Sequence, residues 1–332
     1  MEPYGEVAEQ YVDFADSATD DSPCFEEWAR AVPVDPEVLA WVASLPGIKR
    51  QPNLVFAAAR WHGVPAPAPY AAFRDAVLGD DGSIRSTILS RSTQTNEVGR
   101  LATLAPVLAR IAAEDGRPLA LVEPGTSAGL CLYPDRWGYR WLADDGVRVL
   151  PGAVGPLECT VTGPAPLPRE PIEVAWRAGI DVHPLDVGDD EAMAWLANLV
   201  WPEQDERRAR LTAAVEVARA DPPSIVAGDL LDALPALVAE ASEHGQPVVF
   251  HSAVIAYLEP PDRLRFAALM ADLVATRACR WISNEGPRVL PRVTGTGPAL
   301  PAGASLFVLG LDGRAVAWTH GHGRSMTWHP GA

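Results

Sequence analysis

The chain has 332 residues, 48% hydrophobic and 21% charged, the proportions of a soluble globular protein with room for one large domain plus an appendage or for two domains. A formal charge of −16 and a pI of about 4.8 oppose a phosphate backbone, and no run of Arg or Lys offsets that field, so a small molecule rather than nucleic acid is the expected partner. No apolar stretch reaches membrane-spanning length, the acidic N-terminus lacks a basic-then-apolar leader, and Cys24, Cys131, Cys159 and Cys279 form no C-x-x-C pair, which together predict a cytoplasmic protein with reduced thiols and no membrane partner.

Residues 1–116 read as a helical region. Val7, Tyr11 and Phe14 recur at helical spacing, and Phe25, Trp28 and Ala29 follow a Ser22-Pro23 start. Val38, Leu39, Trp41, Val42 and Leu45 repeat the pattern, Asn53 is placed to cap Leu54–Trp61, and Tyr70–Leu78 is a further short helix. A polar cluster, Arg91 to Arg100, precedes a helix expected over Val98–Glu114. Thr95 or Asn96 is the natural N-cap of that helix. Arg91, Gln94, Asn96, Glu97 and Arg100 exceed what a cap requires, which makes them candidate substrate-binding residues.

The stretch Leu119-Ala-Leu-Val-Glu-Pro-Gly-Thr-Ser-Ala-Gly-Leu130 then reads as a buried strand ending in an acid and a tight glycine-bearing turn. Three readings fit it: a Rossmann-like nucleotide loop, a G-x-S-x-G nucleophile elbow with Ser127 attacking, or a plain turn into a helix. Residues 130–172 carry short β-type runs at Gly138–Leu142, Val147–Leu150 and Leu157–Thr162, with Ile172–Ala178 beyond, and so form a β-rich insertion. Apolar runs ending in polar residues follow in rhythm: Gly179-Ile-Asp181, Ser224 to Asp229, Pro247 to Ser252 and Arg280 to Glu285, with helical sequence between most of them. Repeated βαβ implies a parallel sheet. Asp312-Gly313 between two β-type runs marks a C-terminal antiparallel hairpin.

Taken together, residues 117–332 resemble a class I S-adenosylmethionine-dependent methyltransferase, through Glu123-Pro-Gly-Thr-Ser-Ala-Gly129, Gly179-Ile-Asp181, Ala227-Gly-Asp229, Phe250-His-Ser252 and the terminal hairpin. The run Gly-x-Ser-Ala-Gly-Leu, with the later Trp-Pro-Glu and Gly-Asp segments, also resembles a little-characterised bacterial family known only as a domain of unknown function. The resemblance implies an α/β fold with a Rossmann-like, mostly parallel sheet, S-adenosylmethionine as cofactor, and methyl transfer to a small molecule. It places Glu123, Gly125, Thr126, Ser127 and Gly129 under the cofactor, Asp181 on the ribose hydroxyls with Asp186 or Glu173 as substitutes, and Asp229 and Leu230 at the adenine. His251 and Ser252 would face the sulfonium.

His251 is the expected base, with Tyr257 and Glu285 as further catalytic candidates. No metal cluster is expected. The rival α/β-hydrolase uses Ser127 as nucleophile, Asp229 or Glu285 as acid and His320 or His322 as base. It requires strands ahead of the elbow, where the sequence reads as helical. A diverged, non-catalytic nucleotide-binding protein is the third reading.

Overall fold

The computed structural model describes residues 6–301 and 303–332, and the chain divides into two units. One comprises the chain up to Thr95 together with Asp189–Thr212; the other comprises Asn96–Gly188 and Ala213–Ala332.

The first unit is built from α1 (Val7–Ala18), α2 (Pro23–Ala31), α3 (Pro36–Ala43), α4 (Pro52–Trp61), α5 (Tyr70–Leu78) and α6 (Ser83–Ser90), with no strand among its described residues. Ser22 is extended, its hydroxyl accepts the Phe25 N–H at 3.2 Å, and Pro23 occupies the position where a missing N–H costs nothing. The same preference of proline starts α4 at Pro52. Asn53 therefore lies inside the first turn rather than capping it, and its side-chain oxygen accepts the Trp201 indole N–H at 3.1 Å. The apolar faces converge on fully buried Phe25, Trp28, Phe56 and Phe73, whose rings meet at 5.0–5.4 Å in stacked, tilted and edge contacts. The helix α6 has only Ile84 and Ile88 as buried apolar residues, too few to announce it in sequence; the Asp80 carboxylate accepts the N–H groups of Ile84 and Arg85 at its start.

The second unit takes in α7 (Leu101–Asp115) ahead of its first strand, the compact units dividing between Thr95 and Asn96. Pro106 inside α7 has no N–H for the Ala102 carbonyl four residues back, and the Trp141 indole N–H fills that vacancy at 2.8 Å. The strands are β1 (Leu119–Pro124), β2 (Trp137–Ala143), β3 (Gly146–Leu150), β4 (Val154–Thr162), β5 (Val174–Asp181), β6 (Ser224–Ala227), β7 (Gln246–Ser252), β8 (Arg280–Glu285), β9 (Leu306–Leu311), β10 (Arg314–His320) and β11 (Ser325–Trp328). They form one mixed, mostly parallel sheet ordered β3-β2-β4-β11-β10-β9-β8-β7-β1-β5-β6.

The run β6-β5-β1-β7-β8 is parallel throughout. Antiparallel β9 lies against β8, and β9 turns into β10 through Asp312 and Gly313, both at positive φ as a tight hairpin of this hand requires. Ile172–Ala178 and Gly179–Asp181, expected as separate runs, are covered by the single strand β5, which starts at Val174. The β-rich insertion supplies β2, β3 and β4, joined to the far end of the sheet through β11.

Between strands lie α8 (Asp190–Leu199), which belongs to the helical unit, and α9 (Asp205–Ala220), which crosses the unit boundary. They are followed by α10 (Leu230–Ala241), α11 (Pro260–Ala275) and the single turn α12 (Pro291–Thr294). One core packs Leu234, Val238 and Ala241 of α10 and Phe266 and Met270 of α11 with Ala120, Val122, Val249 and Trp281 of the sheet. Every residue of β1 is buried, as expected for a central parallel strand.

Candidate functional site

Parallel strands deliver their C-terminal ends to one rim. Here that rim carries Glu123, Asp181, Asp229 just past β6, Ser252 and Glu285. The chain order reverses between β1 and β7, with β5 and β6 on one side and β8 on the other, and a reversal of this kind opens a crevice in an α/β sheet.

The loop after β1 forms one wall of the crevice. Gly125, Ser127 and Gly129 all have positive φ (69°, 55° and 73°). The glycines are also sterically required: a Cβ on Gly125 would lie 2.2 Å from Val254 Cγ1, and one on Gly129 would lie 2.6 Å from Pro223 Cγ. The loop's amides are spent inside the protein. Gly125 and Thr126 donate to the Ile180 carbonyl, Ser127 to Asp181 Oδ2 at 2.8 Å, Gly129 to the Thr126 carbonyl, and Ala128 and Leu130 to Asn96 Oδ1. Asn96 closes the bracket by donating Nδ2–H to the Thr126 carbonyl at 3.1 Å. Asn96→Ala is therefore expected to lower stability by about 1–3 kcal/mol, because it orphans two amides and a carbonyl. Thermal denaturation checks this, and an unchanged melting temperature would show that the bracket carries no weight.

Glu123 lies buried beneath the loop and accepts the Thr126 hydroxyl at 2.6 Å. Burial pushes its carboxyl up to about 8, the Thr126 hydrogen bond and Arg100 pull it down, and the nearby Asp181 charge adds to the rise. Asp181 is a loop holder before it is anything else. Its two oxygens accept the N–H groups of Ser127 and His183, each at 2.8 Å, and each oxygen retains a free lone pair for a hydroxyl. Asp186 accepts the Gly188 N–H in a local turn. Asp229 caps α10 through the Leu231 N–H at 2.8 Å and is exposed; beside it Val182, just past β5, is 62% exposed, so this end of the rim is open.

His251 is fully buried, and both its ring nitrogens are engaged: the Trp281 indole N–H donates to Nε2 at 3.0 Å, and Nδ1 lies 2.7 Å from Glu285 Oε1. A nitrogen that accepts from an indole carries no proton, which puts the proton on Nδ1 and directs it to Glu285. His251 thus positions Glu285 in this arrangement. The expectation of His251 as a base meets a ring whose two nitrogens both have protein partners. Glu285 Oε1 also accepts the N–H groups of Val254 and Ile255, at 3.0 and 3.1 Å. Ser252 accepts the Asn284 side-chain N–H on its hydroxyl, and its carbonyl takes Arg100 Nη1 at 2.9 Å. Ala253, next in the chain, has φ of 57°, so strained non-glycine turns follow both β1 and β7. Tyr257 ends the short turn Ile255–Tyr257; burial raises its hydroxyl pKa, Arg100 lowers it and Glu285 raises it.

The expected substrate cluster divides at the unit boundary. Arg91 and Gln94 belong to the helical unit, where Arg91 pairs with Glu191 and lies 5.9 and 5.7 Å from the ring centroids of Trp61 and Trp195. Gln94 lies, half-buried, in an irregular segment. Asn96, Glu97 and Arg100 belong to the sheet unit. Glu97, rather than Thr95 or Asn96, opens the turn Val98–Arg100 by accepting the Gly99 N–H, and Arg100 ties the Gly321 and Ser252 carbonyls together beneath its stack on Phe307. These residues are occupied in holding the rim's scaffold.

The acids and histidines considered for a hydrolase triad have other partners. The Glu285–His251 pair uses its remaining ring nitrogen on Trp281, and His320 faces the His322 N–H and Arg324. No strand precedes β1 among the described residues. The residues that sequence reasoning missed are Asn96 as the bracket of the loop and Trp281 and Asn284 as partners of the β7 end. Their signal was the polar run Ser283-Asn284-Glu285 inside a strand that is otherwise core.

A family model described as an uncharacterized protein conserved in bacteria (DUF2332) matches residues 8–328. No curated protein matches the chain. Among the described residues no helix is long and apolar enough to cross a membrane.

Proposed function

The chain belongs to this uncharacterised bacterial family, and from that premise we propose that it binds S-adenosylmethionine at the rim of its parallel sheet and transfers the methyl group to a small molecule. The observation that carries the proposal is the reversal of strand order at β1 and β7, flanked by two positive-φ turns and a row of acids. The residues present fit such a ligand. Asp181 keeps lone pairs for ribose hydroxyls, while Asp229 and Val182 offer an exposed carboxylate and an apolar platform to an adenine edge.

When bound, S-adenosylmethionine supplies an electrophilic methyl carbon for in-line displacement, a reaction promoted by alignment and exclusion of water. The Gly125–Gly129 loop, its amides already satisfied, acts as a rigid wall that orients the ligand by shape. Glu285 and Tyr257, beyond the β7 end, are the groups suited to hold a proton or a donor from the acceptor.

Calorimetry with S-adenosylmethionine and S-adenosylhomocysteine tests the reading. Dissociation constants of roughly 1–100 μM are expected, within the range over which enzymes hold their substrates. Asp181→Asn and Asp229→Asn should each weaken binding. No heat from either ligand at millimolar concentration would remove the cofactor from the proposal, and binding without turnover of any acceptor would favour a non-catalytic nucleotide-binding protein.

A further inference from the structure

Among the described residues, Glu285 Oε2 is the only carboxylate oxygen that is buried and without a hydrogen-bond partner. Its residue is 2% exposed, at the C-terminal end of a central strand between β7 and β9. All three donors of Glu285, from His251, Val254 and Ile255, converge on the other oxygen. His251 is itself fixed from behind by Trp281, so the buried chain Trp281 to His251 to Glu285 holds the carboxylate by one oxygen and leaves the other bare.

None of the three donors is a full cation. His251 is in the neutral tautomer while its Nε2 accepts the indole proton, and among the described residues no Arg or Lys lies within ion-pair distance of Glu285. The guanidinium of Arg100 is directed to the Gly321 and Ser252 carbonyls. Buried carboxylates are ordinarily matched by a cation or a metal, and an unmatched oxygen costs stability. Here the carboxylate is preorganised on one oxygen, and the other has no hydrogen-bond partner.

We propose that Glu285 Oε2 is the anchor for a protonated amino group on the small-molecule acceptor, seated beside the β1/β7 crevice with Tyr257 at its edge. The assignment rests on the methyl-transfer reading for the word acceptor, but not for the binding event itself. A compact ammonium ion supplies both the countercharge and the donor that the oxygen lacks. The contact is one of binding and orientation and requires no proton transfer.

The test uses the full chain without cofactor, with n-butylammonium as probe and n-butanol as its neutral match, read by ligand-observed saturation-transfer NMR at neutral pH. Binding of the ammonium at millimolar concentration, weakened about tenfold or more in Glu285→Gln, supports the anchor, since a charge-assisted hydrogen bond is worth about 1.5–3 kcal/mol. Glutamine keeps an acceptor for the three N–H donors and places an N–H₂ where Oε2 stood, so an unchanged melting temperature certifies the fold. Tyr257→Phe is a second variant, expected to weaken the probe less. Equal binding to wild type and Glu285→Gln, or no ammonium binding, overturns the proposal even if S-adenosylmethionine binds. Ammonium binding that persists under saturating S-adenosylhomocysteine supports a separate acceptor subsite; competition between the two assigns the anchor to the cofactor's own amino group and overturns the acceptor assignment. Ammonium binding with no response to either adenosyl ligand keeps the cation site and removes the methyl-transfer reading.

Discussion

Glu123→Gln should flatten the pH dependence of folding stability between about pH 4.5 and 8 and yield a protein more stable than the parent at higher pH. The carboxyl titrates near its ordinary 4.5 in the unfolded chain and at about 8 in the fold, chiefly because it is buried, with the Asp181 charge adding to the rise. Between those values the native state keeps a proton that the unfolded state has lost. Unfolding therefore becomes easier as pH rises: the stability contributed by neutral Glu123 is complete below 4.5 and is lost as pH passes through 8. Moving a carboxyl from 4.5 to about 8 corresponds to roughly 4–5 kcal/mol at 1.36 kcal/mol per pH unit.

Glutamine is neutral at every pH and can still accept the Thr126 hydroxyl, so it removes the titration with little change in shape. Urea denaturation of both proteins at intervals from pH 4 to 9 checks the expectation; curves that stay parallel across the range would refute it. The same argument bears on ligand binding. A charge appearing at Glu123 above pH 8, next to Asp181, would loosen the loop from beneath, so adenosyl-ligand affinity should fall at alkaline pH in the parent and hold in the variant.

What could be read from the sequence was what is local. The turn glycines at 125 and 129 and the Asp312-Gly313 hairpin depend on a few neighbouring residues, and the strand ends at Glu123, Asp181, Ser252 and Glu285 are apolar runs meeting polar ones. Partnership was not legible, because it is decided by residues far apart in the chain. Nothing near Pro106 announces that Trp141 will satisfy the carbonyl it abandons, and nothing near residue 172 says that the insertion's strands will reach β11. His251 shows the cost of reading a titratable residue alone. Its position at a strand end suggested a base, but Trp281 on the neighbouring strand occupies the nitrogen that a base would need. The make-up of the helical unit is set in the same way: Trp195 and Trp201 join its aromatic core through Trp61 and Phe14, from more than a hundred residues away.

Gly125→Ala should destabilise the protein by about 2–5 kcal/mol, combining roughly 1–2 kcal/mol for an alanine at φ of 69° with roughly 1–3 kcal/mol for overpacking against Val254. The two contributions separate in a cycle. Adding Val254→Ala removes the methyl groups 2.2 and 2.9 Å from the new Cβ and leaves only the Val254 Cβ at 3.1 Å, so the double variant should recover most of the packing part and retain the backbone part. Denaturation midpoints of the four proteins give the coupling directly. A strongly non-additive cycle means that the turn after β1 and the turn after β7 are wedged together as one preformed wall of the crevice. Additive effects would mean that Val254 swings aside without cost, and the crevice would then be shaped by whatever enters it. The wedge also predicts a functional asymmetry. Val254→Ala alone leaves the loop's hydrogen bonds to Ile180, Asp181 and Asn96 in place, so it should alter adenosyl-ligand affinity at only the modest stability cost of two packed methyl groups, whereas Gly125→Ala should damage both more strongly.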